Sequence, residues 1–206
     1  MRTNIIQNRV NKAIDEAANK SLFTIADFPQ YDSTYVSKIL SAANANGKLV
    51  RLANGIYAKP AHTQYGTALP SMLQVAEAIA RRDHVKILPI GETAENLFGL
   101  SEQVPTKAVF LTSGSGRTII IGTRELEFKR GVPRNFIYKD KILAAFCKAL
   151  QSIGVKNLTD EQMQIVYNVM RHYKGNAESK KDIMQMPNEI KKLLLKVSKT
   201  LEYEVV

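Results

Sequence analysis

Apolar side chains recur at helical spacing along much of the chain, with polar residues between them. Ile6, Val10, Ala13, Ile14 and Ala17 form one stripe over residues 4–19. Val36, Ile39, Leu40 and Ala43 form a second, and Leu73, Val75, Ala76 and Ile79 a third within 72–82. Three later stripes are carried by Ile142, Leu143, Ala145, Phe146 and Leu150, by Met163, Val166, Tyr167 and Met170, and by Ile190, Leu193, Leu194 and Val197. Each predicts a helix with one face in a core. Short apolar or alternating runs at 85–91, 108–112, 118–121 and 125–129 predict strands. Between them, 92–98 reads as a helix closed by Gly99.

The signals at element ends are densest between residues 23 and 60. Thr24 followed by Asp27 has the spacing of a capping box and opens a short helix. Pro29 stops it, and Asp32 is an N-cap for the next helix. Asn46-Gly47 ends that helix, Gly47 supplying the positive φ of a C-cap. Residues 49–53 and 56–59 flank Asn54-Gly55, the sequence of a two-residue type I′ hairpin. Val50, Leu52 and Tyr57 then face inward and Arg51 outward. With the helix over 4–19 in front, the order is that of a winged helix-turn-helix.

That geometry implies a chemistry. A helix fits the major groove of DNA, and its N-terminal residues reach base edges. Ser33, Thr34, Ser37, Lys38 and Ser41 lie off the apolar face of the second helix, and Ser33, Thr34, Tyr35 and Ser37 carry hydroxyls. These can bond bases or phosphates. Lys38, Lys48, Arg51 and Lys59 are placed to neutralise phosphates, with Asn54 at the hairpin tip. The helix N-terminus offers free N–H groups to a phosphate. No Arg, Asn or Gln opens this helix, so bidentate base pairing is not predicted. A hairpin-bearing helical module that mediates protein contacts is the competing reading.

The remaining elements predict an α+β protein: an N-terminal winged helix-turn-helix (1–60), a small α+β domain (71–135) and a C-terminal helical region (136–206). Residues 61–70, small and polar with a closing Pro70, read as a linker or an ordered arm. Residues 175–181 read as a polar segment that leads to 182–186, and Pro187 starts the last helix. Ser113-Gly114-Ser115-Gly116 superficially resembles a phosphate loop. It lacks the Gly-Lys-Ser/Thr ending and runs into a strand.

Charge narrows the partners. The net charge is +10 with pI ≈ 9.6, which favours a polyanion. The excess is spread along the chain, so a solvated basic surface is the simpler alternative. The single cysteine, Cys147, lies in an apolar helical run and reads as a core residue. With no signal-peptide pattern and no apolar run of membrane length, a cytoplasmic protein is expected. His62, His84 and His172 stand apart, so no metal site and no cofactor is predicted. Nor is there a nucleophile–His or paired-carboxylate motif, and the expectation is a protein that is not an enzyme.

Two blocks carry a resemblance. The first is LVRLANGIYAKP in the hairpin, and the second is IGETAENLFGLSEQVPTKAVFLTSGSGRTIIIGTRELEFKR. Together they resemble the AbiEi-type antitoxins of type IV toxin–antitoxin (abortive infection) systems, over roughly residues 20–135. The resemblance implies a transcriptional regulator that binds repeats in its own promoter and represses its operon. It also implies an antitoxin that counteracts a nucleotidyltransferase-type toxin, a functional and not necessarily physical partner. A ligand-responsive winged-helix regulator, with a small-molecule sensor in 71–206, is the alternative.

Overall fold

The computed structural model describes residues 2–64, 66–103 and 105–203. It is a mixed α+β chain with two compact units. One comprises residues up to Lys86 together with Thr118–Leu126, and the other Ile87–Arg117 together with Glu127 onward.

The first unit begins with α1 (Arg2–Glu16), β1 (Leu22–Phe23), a 3-10 turn (Ile25–Asp27) and α2 (Ser33–Ala45). The hairpin β2 (Val50–Ala53) and β3 (Ile56–Ala58) follows. Val10 and Ile14 of α1 and Val36, Leu40 and Ala43 of α2 are almost fully buried in one core with Phe23, Phe28 and Leu49. The helical spacing of these positions produces that packing. The Thr24 capping box forms: Asp27 Oδ2 accepts from the Thr24 N–H at 2.7 Å and from its hydroxyl at 2.9 Å. What it opens is a single 3-10 turn, since Pro29 follows at once.

β3 lies between β1 and β2 in an antiparallel sheet, with Phe23 and Arg51 both opposite Tyr57. The hairpin tip departs from the expected type I′ turn. Gly55 is left-handed at φ +67°, but Asn54 is not, and the register shifts between Arg51 and Ala53. The extra residue is absorbed as a bulge in β2, which permits a turn with one left-handed residue.

Residues 61–70, expected as a linker or arm, carry a hairpin, β4 (Ala61–Thr63) with β5 (Gly66–Ala68). α3 (Met72–Arg82) has the predicted bounds and a Ser71–Gln74 capping box. It packs on β1, the 3-10 turn and β3 and is counted with the first unit. Ala78 and Ala80 are buried along with Val75, Ala76 and Ile79 of the predicted stripe, whereas Leu73 is only partly buried.

In the second unit, β6 (Ile87–Pro89) pairs antiparallel with β7 (Lys107–Thr112), flanking α4 (Glu92–Leu97). With β8 (Arg117–Ile121) and β9 (Arg124–Arg130) the sheet order is β6-β7-β9-β8, of which Thr118–Leu126 is counted with the first unit. Residues 113–116 are a strand-to-strand turn. A Cβ on Gly116 would stand 3.1 Å from the Phe128 carbonyl oxygen. The helices α5 (Lys141–Ile153), α6 (Asp160–Arg171), α7 (Ala177–Met184) and α8 (Asn188–Tyr203) enclose a core of Phe146, Leu150, Val166, Met170, Ile183 and Leu194. α7 corrects the expected polar segment at 175–181. Asn176 Oδ1 accepts from the Glu178 and Ser179 N–H groups and starts the helix there. Among the described residues, no helix is long and apolar enough to cross a membrane.

Candidate nucleic-acid interface

Asp32 sets the start of α2. Its Oδ1 accepts from the Tyr35 N–H at 2.9 Å. This cap places a carboxylate at the helix N-terminus, where it competes with any phosphate for the free N–H groups. The apolar stripe of α2 turns Ser33, Thr34, Ser37 and Lys38 outward, and all four are exposed. Tyr35 is half-buried against the core of the unit. Its ring serves packing, unlike the hydroxyls beside it.

Ser33, Thr34 and Ser37 share a shallow concavity of about 250 Å³ with Ile25, Asn54, Gly55 and Arg82. The start of α2 and the tip of the β2–β3 hairpin therefore face a common space. Arg82 was not among the expected residues. Its Nη1 donates to the Asn54 carbonyl, and its Nε donates to Asp83 Oδ1 at 2.7 Å. The last residue of α3 thus braces the hairpin tip, and a basic residue in the last turn of a helix was the only local signal. On the same unit Arg81 pairs with Asp27 at 3.1 Å.

The basic residues fall into two groups. Lys38 is exposed and makes no hydrogen bond or ion pair among the described residues. Arg51 is exposed, with its guanidinium folded onto the hairpin tip: Nη2 donates to Asn54 Oδ1 at 2.8 Å. Asn54 is likewise exposed. Lys48 and Lys59 are engaged elsewhere. Lys48 Nζ donates to both carboxylate oxygens of Asp15 at 2.9 Å. Lys59 Nζ donates to the carbonyls of Asp15 and Ala17 at 2.7 and 2.8 Å, capping the C-terminal end of α1. Near the start of α2, Arg9 and Gln30 bond the Tyr31 hydroxyl and hold it below the usual phenol range.

Polar residues of the second sequence block serve the fold. Thr93 Oγ1 accepts from the Val109 N–H at 2.8 Å, and the Gln103 carbonyl accepts from Asn96. The Arg117 guanidinium lies 5.6 Å from the Phe128 ring centroid. Cys147 is 1% exposed, and burial pushes its thiol up to about 11, which suits a core residue and not a nucleophile. No group of His, Cys, Asp and Glu able to hold a metal occurs among the described residues.

Comparison with curated proteins and with solved structures finds no match. A family model does match, from residue 9 to residue 178. That span takes in α2, the hairpin, the four-stranded sheet and the helices through α6, and the chain belongs to DUF6088, a family of unknown function.

Proposed function

We propose that residues 1–60 are a winged helix-turn-helix and that the protein is a non-enzymatic, DNA-binding transcriptional regulator. The observation that carries the reading is the order α1, β1, 3-10 turn, α2, β2, β3 with sheet order β1-β3-β2, above which α2 exposes Ser33, Thr34, Ser37 and Lys38. α2 enters the major groove, which admits one helix. Its hydroxyls bond base edges or phosphates, and Lys38 neutralises a phosphate. Arg51 and Asn54 follow the neighbouring backbone from the hairpin tip, which Arg82 holds in place. Lys48 and Lys59 drop out of the interface, because each already has partners within the module.

The AbiEi resemblance extends the proposal. The regulator represses its own operon and acts as the antitoxin of a nucleotidyltransferase-type toxin. That half rests on the two sequence blocks alone. It predicts that co-expression rescues growth of cells carrying a neighbouring toxin gene.

The direct test is a mobility shift on the protein's own upstream DNA at two salt concentrations, with unrelated competitor. The expected result is a competitor-resistant complex. Its log–log salt slope falls by about 0.9 for each phosphate that Lys38→Ala or Arg51→Ala ceases to neutralise. Binding that the two substitutions leave unchanged would show that this face does not meet DNA. The second reading, a ligand-responsive regulator, is favoured by one feature of the helical unit, a cleft beside α7.

A further inference from the structure

We propose that the cleft bounded by the end of α6, by α7 and by α8 is a binding site for an amphipathic anion, a compact acidic head on an apolar chain. The inference stands independently of DNA binding. The cleft has a volume of about 520 Å³, within the size range of small-molecule sites. Apolar side chains lie at its floor, beside the polar Tyr173, Asn176, Ser179 and Ser198. Met170, Ile183 and Leu201 are at most 3% exposed and belong to the core of the helical unit, and Leu195 joins them from α8.

Its rim is cationic. Among the described residues, Lys174, Lys180 and Lys199 line it, against a single carboxylate, Glu202. None of the three lysines makes an ion pair among the described residues. Other lysines of this unit do: Lys139 and Lys181 hold Glu178 at 2.9 and 2.8 Å, and Lys107 holds Glu127 at 3.0 Å. Three ammonium groups without an ion pair thus border a cleft that has buried apolar side chains at its floor. Desolvating a neutral chain there is favourable, and an acid head meets three like-signed donors. The N–H groups at the start of α7 are already taken by Asn176, so the lysines and not the helix terminus hold the head. A fully polar anion would leave the floor unused, and a neutral apolar molecule would leave the rim unused.

The test titrates the full-length protein with decanoate, kept below its micellar concentration, and with decanol as the uncharged probe. Methyl NMR reads Met170, Ile183 and Leu201. The expected result is saturable shifts at these methyls with decanoate and weaker binding of decanol. The double variant Lys180→Glu/Lys199→Glu, whose two sites are exposed, weakens decanoate about tenfold and leaves decanol unchanged. An unaltered amide spectrum of the variant establishes that it is folded. Absence of saturable shifts with decanoate would overturn the proposal. So would equal affinity for the two probes, or a variant that binds decanoate as the parent does.

Discussion

The ammonium of Lys48 sits 2.9 Å from both carboxylate oxygens of Asp15, which joins the segment after α2 to the end of α1. The pair is roughly half exposed on both sides, so its own contribution to stability is at most about 1 kcal/mol. It matters more for what it removes from the surface. Lys48→Met is expected to leave the salt slope of DNA binding unchanged, where Lys38→Met flattens it by about 0.9. A slope measured from about 50 to 200 mM salt distinguishes the two, and equal flattening would mean that Asp15 releases Lys48 to a phosphate.

Lys59 is a structural residue of the same corner. Two carbonyls at the end of α1 lose their charged donor in Lys59→Met. The expected loss is about 1–2 kcal/mol of unfolding free energy, read by urea denaturation of the full chain. A variant of parental stability that nonetheless loses DNA affinity would return Lys59 to the interface.

Asp182 is 2% exposed, and backbone amides satisfy its carboxylate. Its two oxygens accept from the Lys139 and Asp140 N–H groups at 3.2 and 2.8 Å. The carboxylate thereby ties α7 to the start of α5, across 43 and 42 residues of sequence. Asp182→Ala leaves both donors without their acceptor, with an expected cost of about 2–4 kcal/mol. Asp182→Asn keeps one acceptor and is expected to fall between the two. Thermal and urea unfolding check both, and an Ala variant as stable as the parent would refute the assignment.

Glu178 gives the fold one pH-sensitive contact. Hydrogen bonds from Lys139 and Lys181 hold its carboxyl at about 2, below its ordinary 4.5. A carboxyl with a depressed folded-state pKa stabilises the fold above its unfolded value and loses that contribution as pH falls. The effect therefore fades from pH 4.5 down to about 2. Because the group is open to solvent, salt should screen it. Glu178→Gln is expected to flatten the pH dependence of stability in that window at low ionic strength only. A parent and variant with parallel profiles would remove the assigned partners.

What the sequence determined by itself was set by neighbours within one or two turns. The Thr24–Asp27 box, the Asp32 cap and the bounds of α3 all depend on partners three residues apart or on one apolar stripe. The α+β mixture follows from the same periodicities. The start of α7 was not legible, because it depends on the Asn176 side chain within a polar stretch that carries no stripe. The tertiary structure decided which of the charges are free. Lys48 and Asp15 are 33 residues apart, and Lys59 reaches back 44 to the same residue. Arg82 meets the Asn54 carbonyl across 28. No periodicity encodes such pairs, because they arise only when the packing of apolar faces brings distant elements to one surface. Ser33, Thr34, Ser37 and Asn54 share one concavity for the same reason, while Lys48 and Lys59 turn to the end of α1.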